Sequence, residues 1–228
     1  MRAFSPLSGT IAERIAQIRQ ALPDSVRLIA VTKQVSVEAM REAYAAGVRD
    51  FAESRVQEAE AKQAKLSDLT DVTWHLIGHL QGNKAQKALD CFQWIHSIDD
   101  LKLAQRLNRL AAQLPQKPQS LLQVKLLPDP DKYGWSAADL LHNLSALSQC
   151  ENLSIQGLMT ILPYGLAAVD ATMAFQKTAA LANTIRQQNL PHLQMQVLSM
   201  GMSNDYELAV QAGTTMIRLG RILFGDRP

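Results

Sequence analysis

Eight short apolar runs recur along this chain, each followed by a segment with helical periodicity. The runs fall at 26–32 (VRLIAVT), 48–52 (VRDFA), 72–77 (VTWHLI), 93–98 (QWIHSI), 120–127 (SLLQVKLL), 153–159 (LSIQGLM), 193–198 (LQMQVL) and 215–219 (TMIRL). Helical spacing follows at about 36–46, 54–67, 81–89, 99–113, 136–149, 166–189 and 204–212, and a short turn or helix starts near Arg221. Strict alternation of strand and helix means parallel strands with right-handed crossovers. Eight units suit a closed (β/α)8 barrel, the TIM-type architecture, and 228 residues suit one barrel as a single domain over 1–228. An open doubly wound sheet is the competing topology. The glycine-rich first turn that such a sheet uses for a dinucleotide is missing, because VTKQVS holds no glycine. An extra helix precedes the pattern: Ile11, Ile15, Ile18 and Leu22 share one face, and Pro23-Asp24 stops it.

Composition narrows the partners. The formal charge is +2, and no basic run or tail points to nucleic acid or a membrane surface. Cys91 and Cys150 are far apart and lack a metal-ligand spacing, so they read as reduced thiols. The first residues carry no apolar targeting core, and no apolar run reaches the length of a membrane span. The expectation is a soluble cytoplasmic protein.

In such a barrel the C-terminal strand ends carry the chemistry. They hold Lys33, Glu53-Ser54, Gly78-His79, Ser97, Met159-Thr160, Ser199 to Ser203 and Arg218 to Arg221. Lys33 stands directly after a buried strand, where an amine is placed either to escape into water or to react. LSMGMSNDYELA (198–209) leaves strand 7 and enters a helix that Ser203 or Asn204 can cap, with Glu207 three residues after Asn204. RLGRILFG (218–225) leaves strand 8 in the same way. Gly201 and Gly220 allow close approach of backbone, and paired helix starts after strands 7 and 8 suit a phosphate. An amine opposite a phosphate cradle suits a carbonyl compound carrying a phosphate. Two classes fit: a sugar phosphate held by an aldolase, or pyridoxal 5′-phosphate.

LIAVTK (28–33), FAESRVQE (51–58), WHLIGHLQGNK (74–84), IQGLM (155–159) and SMGMSNDYELAVQAGTTMIRLGRILFG (199–225) together resemble the pyridoxal phosphate homeostasis proteins, the YggS/PROSC family. The resemblance spans nearly the whole chain. It implies the barrel of the alanine racemase N-terminal domain, with pyridoxal phosphate as cofactor, held as a Schiff base on Lys33. It places the phosphate at Ser199, Gly220 and the Arg221 backbone, and sets Arg218 opposite the pyridine nitrogen. Ser54 stands where many members have asparagine. His75 and Met159 are expected near the mouth or lining, His75 either as a cofactor contact or as a satisfied core histidine, and Met159 as ring packing. Lys132, in PDKYG, matches a loop lysine that is either a second landing site or simply solvated.

An arginine at the pyridine nitrogen makes the ring a weak electron sink, and no second domain follows to supply a further base. The expected role is therefore a carrier in vitamin B6 and amino-acid homeostasis, without turnover, serving PLP-accepting apoenzymes as a monomer. A single-domain racemase using Lys33 as a base is the alternative. A phosphosugar aldolase would be colourless as purified.

Overall fold

The computed structural model describes residues 8–129 and 132–225. Helix α1 (Ile11–Ala21) opens with a reciprocal cap: the Thr10 hydroxyl accepts from the Glu13 N–H, and the Glu13 carboxylate takes the Thr10 N–H. Ile15 and Ile18 bury the face that the sequence periodicity marked.

Eight strands follow: β1 (Arg27–Val31), β2 (Asp50–Glu53), β3 (Thr73–Leu76), β4 (Trp94–Ile98), β5 (Gln119–Val124), β6 (Ser154–Thr160), β7 (Leu193–Ser199) and β8 (Met216–Leu219). All neighbours pair in parallel, and β8 returns to β1, from Arg27 opposite Met216 to Ala30 opposite Leu219, so the sheet closes. The helices between them are α2 (Val37–Ala45), α3 (Val56–Lys65), α4 (Ala85–Cys91), α5 (Leu101–Ala111), α6 (Ala137–His142), α7 (Leu144–Leu147), α8 (Ala168–Arg186) and α9 (Tyr206–Gln211). A final turn of helix, α10 (Arg221–Phe224), follows β8. The open-sheet alternative is excluded by this closure.

Strands buried on both faces make two apolar compartments. Phe51, Leu76, Ile95, Leu122 and Leu158 point outward into the layer beneath the helices. Ile29, Val31, Ala52, Trp94, Leu121, Met159 and Met216 fill the bore. Along each strand the bore residues share one parity, and Lys33 continues the series of Ile29 and Val31.

Most element ends shift by one to four residues from the sequence expectation, and two of the differences have a plain local cause. Strand β5 stops at Val124 rather than running to 127, because the chain folds back: Lys125 N–H donates to the Trp135 carbonyl, and Trp135 N–H to that of Gln123. The helix expected over 136–149 breaks at Asn143 into α6 and α7, where the backbone leaves helical angles. Among the described residues, no helix is long and apolar enough to cross a membrane.

Candidate functional site

Lys33 leaves β1 half-buried at the barrel mouth. The turn that carries it is held from both sides. Thr32 N–H donates to the Ala52 carbonyl at 2.9 Å, and the Lys62 ammonium donates to the Thr32 carbonyl at 2.6 Å. The Gln34 N–H, on a residue with φ of 59°, donates to Glu58 Oε1 at 2.6 Å. Lys62 also bridges Glu53 at 2.8 Å and Glu58 at 2.7 Å. Glu53 is fully buried, and its Oε2 finds no hydrogen bond. Burial pushes the Glu53 carboxyl up, although bonds from Lys62 and the Thr32 hydroxyl act against this.

On the adjoining strand β8, where it pairs in register with Ile29 of β1, Arg218 is buried. Its Nη1 donates to the Ser199 carbonyl at 2.6 Å and to Ser199 Oγ at 2.7 Å, and its Nη2 donates to the Thr160 carbonyl at 2.8 Å. A guanidinium has five N–H donors, so Nε–H and one Nη2–H remain for another partner. Burial pushes Arg218 down to about 10, with the Asp205 charge acting in its favour.

The turns after β7 and β8 face each other. Ser203 Oγ lies 3.4 Å from the Ile222 N–H, and Arg221 Nη2 lies 3.4 Å from Asn204 Oδ1. Gly201 adopts φ of +93°, and a Cβ there would come within 2.7 Å of that of Ala209, so the turn presses onto α9. The expected cap is different from the one found. Helix α9 begins at Tyr206, with Asp205 rather than Ser203 or Asn204 at its N-cap and no side-chain cap bond. The Asp205 carboxylate instead takes the Met202 N–H at 2.6 Å, which fixes the 201–205 turn.

The structure separates the expected site residues into two groups. Lys33, Ser54, Gly201, Gly220 and Arg221 stand at the strand exits, with Arg218 just below them. Ser54 is half-buried after β2, packed so tightly beneath Gly78 that a Cβ on Gly78 would overlap the Ser54 carbonyl. Ser199, His75 and Met159 lie inside. The Ser199 hydroxyl is turned into the bore toward Arg218 and His96, away from the rim. His75 is fully buried with both ring nitrogens engaged, by Asp50 and by His96, so it is a satisfied interior histidine with no ring nitrogen left for a ligand. Met159 packs in the bore with Trp94 and Leu121. Lys132 is half-buried in the loop after β5, its carbonyl accepting from Lys125 Nζ at 3.1 Å. The neighbouring Tyr133 stacks on His79 at 3.6 Å between centroids, and His79 in turn meets Asp99 at 2.7 Å.

Sequence reasoning missed Lys62 and His96 as parts of this site, and it placed Glu53 at the rim without its buried pairing to Lys62. Lys62 looks like an ordinary helix-surface lysine until α3 packs over β2. His96 had one signal: polar residues of bore parity recur on consecutive strands, at Asp50, His75 and His96.

The donors at the mouth are an amine, an arginine with spare N–H groups, and two apposed turns. This set fits a ligand with a carbonyl, a ring acceptor and an anionic group. Fold and site together define a barrel of the alanine racemase N-terminal domain class, whose family model matches residues 8–228. Alanine racemase from Bartonella henselae, solved with covalently bound pyridoxal phosphate, superposes with TM-score 0.72 at 16% identity. That match covers 96% of this chain and 59% of the racemase, and it establishes the fold alone. Within this class the chain belongs to the pyridoxal phosphate homeostasis proteins: it is 51% identical over 212 residues to the one from Synechocystis sp., covering 93% of this chain and 96% of the relative. PipY of Synechococcus elongatus, solved with PLP bound, has TM-score 0.91 at 53% identity, covering 95% of this chain and all of PipY.

Proposed function

We propose that this protein binds pyridoxal 5′-phosphate at the barrel mouth and holds it for delivery in vitamin B6 and amino-acid homeostasis, without turnover of its own. One observation carries the reading: an amine on a clamped turn after β1 stands at the mouth beside β8, whose buried arginine keeps spare N–H donors. Bound pyridoxal phosphate supplies a reactive aldehyde, which an amine takes up reversibly. Lys33 presents that amine. Arg218 directs an N–H toward the ring nitrogen, and a group with donors only keeps that nitrogen unprotonated. The apposed turns at Gly201–Ser203 and Gly220–Ile222 receive the phosphate through backbone N–H groups, with Ser203 supplying the hydroxyl that Ser199 commits elsewhere. Ser54 borders the ring, and Met159 packs in the bore beneath. The domain is the whole barrel, acting as a cytoplasmic monomer that serves PLP-accepting apoenzymes. Its two buried free cysteines suit a reducing compartment.

An absorption spectrum of the purified protein tests the reading, with borohydride trapping and mass mapping of the modified lysine. A visible cofactor band is expected, with the adduct on Lys33 and not on Lys132. Lys33→Ala removes band and adduct while changing stability by less than about 1 kcal/mol, since Lys33 sits at a turn and not in the core. A colourless protein that takes up no cofactor overturns the proposal. Racemisation of alanine above the rate of free cofactor, abolished by Lys33→Ala, replaces the carrier role with the racemase one.

A further inference from the structure

The bore of this barrel is not wholly apolar. Four hydrogen bonds cross it from the top of β7 and β8 to the bottom of β2. Arg218 Nη1 reaches Ser199 Oγ at 2.7 Å, and Ser199 Oγ reaches His96 Nδ1 at 3.0 Å. His96 Nε2 meets His75 Nδ1 at 3.0 Å, and His75 Nε2 meets Asp50 Oδ1 at 2.8 Å. Asp50 closes the chain on Arg27, whose Nη2 lies 2.6 Å away. Ser199 and both histidines are fully buried. Arg27 at the far end is partly open to solvent, with 38% of its side chain exposed.

With both imidazoles neutral, these bonds run in one sense only. Arg218 and Arg27 can only donate, and the Asp50 carboxylate can only accept. His75 must then carry its proton on Nε2, facing Asp50. Its bare Nδ1 accepts from His96 Nε2–H, and the bare Nδ1 of His96 accepts the Ser199 hydroxyl proton. That leaves Ser199 Oγ to accept from Arg218. Reversal requires an imidazolium between two arginines, and among the described residues Asp50, already paired with Arg27, is the one carboxylate hydrogen-bonded to either histidine. A third buried charge without its own partner is costly.

We propose that Ser199, His96 and His75 are positioning residues for Arg218, forming a one-way relay that holds the guanidinium by its Nη1 edge. Thr160 holds the Nη2 edge through its carbonyl. The two anchors fix the guanidinium plane and keep Nε–H turned to the barrel mouth. The relay rests on the reading of Arg218 as the residue facing the cofactor's ring nitrogen. Its hydrogen-bond sense stands on the protein alone.

Two measurements test it. Nitrogen-15 spectra of the cofactor-free protein should show both His75 and His96 as Nε2–H tautomers at neutral pH. An Nδ1–H tautomer or an imidazolium at His96 overturns the relay. In the loaded protein, Ser199→Ala and His96→Leu should release pyridoxal phosphate about tenfold faster and shift its absorption band, the effect of one lost bond to a charged group. His96→Asn, which keeps an acceptor toward Ser199, should stay within about threefold of the parent. Release and band unchanged in Ser199→Ala, but altered in Arg218→Lys, overturn the relay and leave the cofactor site standing. Release and band unchanged in Arg218→Lys overturn both.

Discussion

Lys62 shows how much of the reactive turn depends on a side chain that never reaches the mouth. Its ammonium joins the Thr32 carbonyl, Glu53 and Glu58, with 10% of the side chain exposed. Glu53 beneath it is fully buried and already leaves one oxygen without a partner. Removing one member of a buried ion pair strands the other charge, at a cost of about 3–5 kcal/mol. Lys62→Met should therefore lower stability by about that amount in urea denaturation, and adding Glu53→Gln should recover part of it. A loss below about 1 kcal/mol would show that the pair is not what holds β2 to α3.

At the scale of elements, the mouth is shaped by how closely neighbouring strand exits approach. Gly78 has ordinary backbone angles, so its need is for space: a Cβ would overlap the Ser54 carbonyl, and backbone there has nowhere to move. Gly213 is the opposite case, with φ of +85° and open space around it. Gly78→Ala should cost about 1–3 kcal/mol by overpacking and should weaken pyridoxal phosphate binding, because it pushes the β3 exit away from Ser54. Gly213→Ala should cost about 1 kcal/mol from backbone strain alone and leave binding unchanged. Thermal melting and cofactor titration of the two variants separate these effects. Equal binding losses would remove the β2–β3 exit from the site.

For the whole molecule, the buried histidines set how stability responds to acid. Burial lowers His75 and takes His96 well below 6.5, outweighing the support His75 draws from Asp50. The unfolded chain therefore binds protons first as the pH falls. This contribution is complete above about pH 6.5 and is lost as the pH falls through the folded values. Glu53, Asp99 and Asp205 are pushed up by burial and act oppositely, favouring the fold in acid and losing that contribution as pH rises through their folded values. Lowering the pH from about 7.5 to about 5.5 should reduce the denaturation midpoint, and a His75→Gln/His96→Asn variant should show a shallower decline. An equal decline in both would assign the acid response to other groups.

The sequence by itself determined the architecture. Eight apolar runs separated by helical spacing admit few arrangements, because a strand buried on both faces and its crossover helix are written locally, residue by residue. The same order put Lys33, Gly201, Gly220 and Arg218 near one end of the barrel, since strand exits share a rim. Tertiary structure alone decided which polar groups meet. Ser199 and His96 are 103 positions apart and bond across the bore. Lys62 clamps the Lys33 turn only because α3 folds over β2, and Ser199 turns inward because Arg218 and His96 await it there. Hydrogen bonds act over about 3 Å, so they depend on barrel closure and strand register, which hydrophobic periodicity does not encode.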